Sequence, residues 1–134
     1  MNVKQHWTRT ETTAVTGLLV SAAGIATLWA AGIEFPVYPP PGIILLGTGA
    51  VAFAAMRTRV RWAAALPIVL GAFIQAGFMI EGIASGTGFA NLAGDAGLGA
   101  QIGQLVQQIG AVTAIVGGVL TLRARTARKT PQAV

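Results

Sequence analysis

Four acidic residues, one histidine and no cysteine are all that this 134-residue sequence offers toward conventional catalysis. Two of the acids, Glu34 and Glu81, stand at the ends of long uncharged runs. Paired carboxylates do general acid–base work when they converge in a dry cleft. A proton-coupled carrier instead needs an acid deep in the membrane, where desolvation raises its pKa. The spacing of Glu34 and Glu81 supplies neither arrangement, so each reads as a hydrated carboxylate at an interface. Asp95 sits among glycines and reads as a turn residue. His6 stands alone in a polar amino-terminal arm, whereas zinc and haem sites draw on several His or Cys ligands. Gly86-Thr87-Gly88 and Gly94-Asp95-Ala96-Gly97 lack the lysine and the flanking strand of a phosphate loop. No enzyme, cofactor or metal site is expected from these residues.

Side-chain amides are the next candidates. Gln75, Gln104, Gln107 and Gln108 lie inside apolar runs. An amide in lipid needs a partner, and such bonds average only about 0.6 kcal/mol, so they set register more than they stabilise. A bond from Gln75 to Gln107 or Gln108 is expected. The functional alternative is a polar pathway through Gln75, Gln104, Gln107 and Gln108, with Glu34 or Glu81 at its mouth.

A third pattern is steric rather than polar. Gly103, Gly110 and Gly117 recur every seven residues, with Gln107, Ala114 and Thr121 interleaved at four, and Gly99 adds a GxxxG with Gly103. Small residues at this spacing form a seam where another helix backbone can approach closely. Gly17, Ser21 and Gly24 form a weaker version nearer the amino terminus. Such a seam serves internal packing, or an interface with a second copy or a partner subunit. The Gly99, Gly103, Gly110, Ala114 and Gly117 face is the expected helix–helix contact.

The elements that carry these residues are organised around 57–61, where Arg57, Arg59 and Arg61 put three cations into five residues. No charge occurs over 35–56 on one side or 62–80 on the other. A water-soluble helix would show a polar face over such lengths, so this stretch reads as a tight basic turn between two membrane spans. Residues 12–33 form a further uncharged run, about 33 Å long as a helix, against a hydrocarbon core of about 30 Å. It exceeds the apolar region of a signal peptide, so an uncleaved first span is expected. Pro36, Pro39, Pro40 and Pro41 end it, since proline removes a donor and disfavours helix before itself. The second span covers about 40–58, starting near Pro40 and ending with Arg57 reaching to the headgroups. The third covers about 62–80, with a kink or a late start at Pro67. Residues 82–100 carry six glycines and read as an outer loop, with a short surface or re-entrant turn near 89–93. The fourth span covers about 101–122, and 123–134 reads as a disordered basic tail.

Charge placement orients these spans. All nine Lys and Arg, including Lys4, Arg9, Arg123, Arg125, Arg128 and Lys129, fall on one side of a four-span arrangement. Glu34, Glu81 and Asp95 fall on the other. Positive-inside reasoning makes the cationic side cytoplasmic, with Arg57, Arg59, Arg61, Arg123 and Arg125 at the headgroups. Trp7 and Trp62 then mark the inner interface, and Trp29, Phe35 and Tyr38 the outer one.

Composition agrees. Only 10% of residues are charged, against about a quarter in a soluble domain. The net charge of +5 does not indicate a nucleic-acid partner, because the cations cluster at the borders of apolar runs. Arg outnumbers Lys seven to two amid abundant Ala and Gly, the composition of a GC-rich bacterial genome. The expectation is an all-α integral membrane protein: an arm at 1–11, a four-helix transmembrane domain at 12–122, and a tail at 123–134. Its expected place is a bacterial plasma (inner) membrane, multi-pass, with both termini cytoplasmic. Its expected role is a non-catalytic accessory or scaffolding subunit, packing with itself or with a larger membrane complex. The alternative is a small oligomeric transporter or channel.

Overall fold

The computed structural model describes residues 6–34 and 40–129. Lys4, the helix-stopping Pro36 and Pro39, the aromatics Phe35 and Tyr38, and 130–134 of the expected tail lie outside the described residues. Every regular element among the described residues is helical: α1 Arg9–Ala30, α2 Pro41–Met56, α3 Ala65–Ala84, α4 Thr87–Ala93 and α5 Leu98–Lys129. Three helices are long and apolar enough to cross a membrane, and the fourth apolar helix, α2, is shorter at 16 residues.

Local signals explain where these helices begin and end. α1 starts three residues before the uncharged run because Thr8-Arg9-Thr10-Glu11 is a capping box. The Thr8 hydroxyl accepts the Glu11 N–H at 3.1 Å, and a Glu11 carboxylate oxygen accepts the Thr8 N–H at 2.9 Å. The helix closes by Ala30 rather than at 33, because Gly32 adopts φ +89° and turns the chain. The Ile33 N–H then reaches the Leu28 carbonyl, and the Gly32 N–H that of Trp29, the paired bonds of a Schellman end. α2 has Pro41 in its first turn, where a missing N–H costs nothing. α3 starts late, at Ala65, with Trp62 to Ala64 in turns and Pro67 in the first turn, so no kink is needed. It then runs past Glu81 to Ala84.

The glycine-rich segment is more ordered than a loop. α4 is bracketed by Gly86 and Gly94, both left-handed, and Gly94 ends it with a second Schellman pair. Asp95 follows in an exposed turn. The expected disordered tail is helical as far as Lys129, as α5 continues through Arg123 and Arg125.

Packing follows from glycine. The seam of α1 and the seam of α5 lie against each other, antiparallel: Gly17 meets Ala114 and Gly110, and Gly24 meets Gln107 and Gly103. A β-carbon on Gly17 would overlap the Ala114 backbone, and one on Gly117 would stand 2.7 Å from the Ala14 α-carbon. Gly99 touches only the Ala31 side chain, at the far end of the same pair. α3 approaches α5 from the other side, where Gly71 meets the Ala111 carbonyl and Gly118 meets Ala64. α2 rests on α1 and α3, and its backbone does not come close to α5. Leu18, Ile25, Leu46, Leu70 and Ile74 fill the space between these four helices. Their outer faces are apolar: Val69, Phe73, Ile80 and Ile83 on α3, and Leu105, Ile109, Val112 and Val116 on α5, are all exposed.

Candidate functional site

Two polar centres occupy opposite ends of the molecule. At the end where α1 and α3 finish, the Schellman turn of α1 sets Ile33 and Glu34 beside the last turns of α3. α4 folds across this end because Phe89 lies on Gly82, where any β-carbon would collide, and meets Phe78 edge-on at 5.3 Å. The Glu81 carboxylate holds the start of α4, accepting the Gly88 N–H at 3.0 Å and the Ser85 hydroxyl at 2.5 Å. Between these elements lies a cavity of about 280 Å³. Its polar lining is Glu34, Glu81, Thr87, Asn91, Gln104 and Gln107, and its apolar wall includes Phe73 and Phe78.

The amides form a line leading inward. Asn91, 3% exposed, donates to the Gln104 side-chain oxygen at 3.2 Å, and Gln104, 5% exposed, donates to the Gln107 side-chain oxygen. The Ser21 hydroxyl donates to the Gln107 carbonyl at 2.9 Å, tying this line to α1. At the same level the glycine contact of α1 with α5 begins, where Gly24 meets Gln107 and Gly103.

Of the six positions read as a polar pathway, Glu34, Glu81, Gln104 and Gln107 therefore share one cavity. Gln75 and Gln108 do not join them. Gln75 donates instead to the backbone carbonyl of Gln108 at 3.3 Å, so the expected amide–amide pair is an amide–backbone bond. Both polar atoms of the Gln108 side chain are buried with no hydrogen-bond partner among the described residues. The glycine seam likewise has an occupant within the chain. Gly103, Gly110, Ala114 and Gly117 face α1, so a second molecule has no access to them.

The opposite end holds an ion cluster that the charge pattern alone did not reveal. Arg57, expected at the headgroups, is buried at 8% exposure, with its guanidinium 3.1 Å from Glu11. Arg125 reaches the other Glu11 oxygen at 2.9 Å and donates to the carbonyls of Arg61 and Arg57. Trp7 covers Arg57 at 4.1 Å, and Phe53 supports Trp7 edge-on. One carboxylate thus joins the start of α1 to the ends of α2 and α5. Arg59, Arg61 and Arg123 are exposed. The missed residue was Glu11, and its signal was the Thr-x-x-Glu capping box.

Among the described residues no group of three or more His, Cys, Asp or Glu is placed to hold a metal. Comparison with protein-family models, curated proteins and solved structures finds no match.

Proposed function

We propose that this chain is a four-span bundle in a bacterial plasma membrane, with both termini cytoplasmic. In this reading it acts as a non-catalytic accessory subunit, and its working part is the cavity at the outer end. The exposed apolar faces of α3 and α5 support the membrane setting, because a soluble chain of this size does not leave such continuous apolar surface to water. The charge asymmetry supports the orientation, with Glu34 and Glu81 outside and the arginine cluster inside.

The observation that carries the binding role is the convergence of Glu34, Glu81, Asn91, Gln104 and Gln107 on a single cavity from four segments of the chain. Its volume is at the small end for ligand pockets, which fits a metabolite-sized solute. Two carboxylates, amide oxygens and phenylalanine rings favour a small organic cation. Tetramethylammonium is a suitable probe. At ten times its Kd it stabilises a protein that binds it by about 1.4 kcal/mol, readable as a rise in Tm against sodium chloride. Glu81→Gln should abolish the rise, and the absence of any rise in the unmodified protein would overturn the binding role.

A carrier is the second reading, favoured by the amide line that leads from the cavity toward the middle of the chain. In it, the α1–α5 seam and the Glu11 cluster would be the closed inner gate. Tetramethylammonium uptake into proteoliposomes separates the two, because a binding subunit gives saturable binding without uptake.

A further inference from the structure

The arginine-rich end also holds a basin of about 710 Å³ between the 57–62 turn and the last turns of α5. Four arginines line it: Arg57, Arg59, Arg61 and Arg125. The first and last are held by Glu11, the one carboxylate that faces them among the described residues. The side chains of Arg59 and Arg61 are exposed and have no ion-pair or hydrogen-bond partner among the described residues. Trp62, 63% exposed, and Leu122 give the same basin an apolar wall.

We infer that this basin is a binding site for the headgroup of an anionic phospholipid of the cytoplasmic leaflet. Arg59 and Arg61 would hold the phosphate, and Trp62 and Leu122 would flank the glycerol and the first acyl carbons. Arginine forks match phosphate oxygens in pairs, and phosphate is the anion a membrane presents at this depth. Free phosphate shares the chemistry, but the indole and leucine wall suits a ligand with an apolar portion. The inference rests on the membrane reading above. It adds that two particular arginines are selective, beyond the general attraction of a basic surface.

The test is native mass spectrometry of the full chain from mixed micelles of phosphatidylglycerol and phosphatidylcholine at equal concentration. The unmodified protein should retain phosphatidylglycerol over phosphatidylcholine about 25-fold, the product of two charges each worth roughly a fivefold preference. Arg59→Gln/Arg61→Gln should bring the ratio close to one, and Arg59→Lys/Arg61→Lys should keep most of it while controlling for folding. Arg9→Gln/Arg123→Gln removes the same charge from exposed positions outside the basin and should leave the ratio unchanged. An equal loss in that variant, or no preference in the unmodified protein, would overturn the site. Displacement of the retained lipid by millimolar inorganic phosphate alone would also overturn it, by making the ligand a free anion. If the protein instead leaves membranes under alkaline wash, the membrane reading itself has failed, which is a separable result.

Discussion

Gly110→Ala is the sharpest test of this architecture. A β-carbon there would stand 2.7 Å from the Ser21 α-carbon and 2.8 Å from the Gly17 carbonyl oxygen. Comfortable carbon contacts lie at about 3.5–4.0 Å, so α1 and α5 must separate by roughly 1 Å. A methyl group on a helix has no rotamer to escape into, and the atoms it meets are backbone. Overpacking of this kind costs about 1–3 kcal/mol. The same movement stretches the Ser21–Gln107 bond from 2.9 Å past useful length, a further loss of about 0.6 kcal/mol. Against this stands a gain of up to about 1 kcal/mol from the better helix propensity of alanine. The net expectation is a loss of about 1–3 kcal/mol, or several degrees in Tm. Gly77 is the control, because nothing lies within 4 Å of its would-be β-carbon. Gly77→Ala should therefore be neutral or stabilising by up to about 1 kcal/mol. Thermal unfolding of both variants in one detergent, followed by tryptophan fluorescence, gives the comparison. A Gly110→Ala protein as stable as Gly77→Ala would refute the α1–α5 contact. A change in oligomer size with no change in Tm would return the seam to an intermolecular role.

Other predictions concern the polar centres. Glu11→Gln leaves the buried Arg57 guanidinium without its counter-charge and should cost about 3 kcal/mol by chemical denaturation. It should also speed tryptic cleavage after Arg125, and unchanged cleavage would mean that Glu11 does not hold the end of α5. Gln108→Leu removes two unpartnered buried polar atoms and should stabilise by about 1–3 kcal/mol; a lower Tm would reveal a partner for that amide. Trp7→Ala uncovers Arg57 and should lower stability by about 1–2 kcal/mol, with Trp7→Phe recovering part of it.

Much of the helical layout is legible in the order of residues. The uncharged runs locate α1, α2, α3 and α5, because a helix that is apolar on every face cannot be laid on a water-exposed surface. Helix ends are legible only where a local device sets them. Thr8 and Glu11 start α1 early, and Gly32 ends it early, each through backbone bonds that hydropathy does not register. The helical extension of α5 through Arg125 was not legible. It depends on Glu11, 114 residues away, and on carbonyls of the 57–61 turn.

The same division runs through the candidate sites. By itself the sequence determined that glycines at seven-residue spacing must face something close, since without a side chain that face cannot be filled otherwise. Only tertiary structure decided that the occupant is the Gly17–Ser21–Gly24 face of the same chain. Likewise, the sequence determined that amides inside apolar runs need partners and that cations gather at one end. Which amide meets which, and which arginine is buried, depends on helix rotation about each axis. Rotation is set by how four faces pack at once, and no single stretch of sequence carries that information.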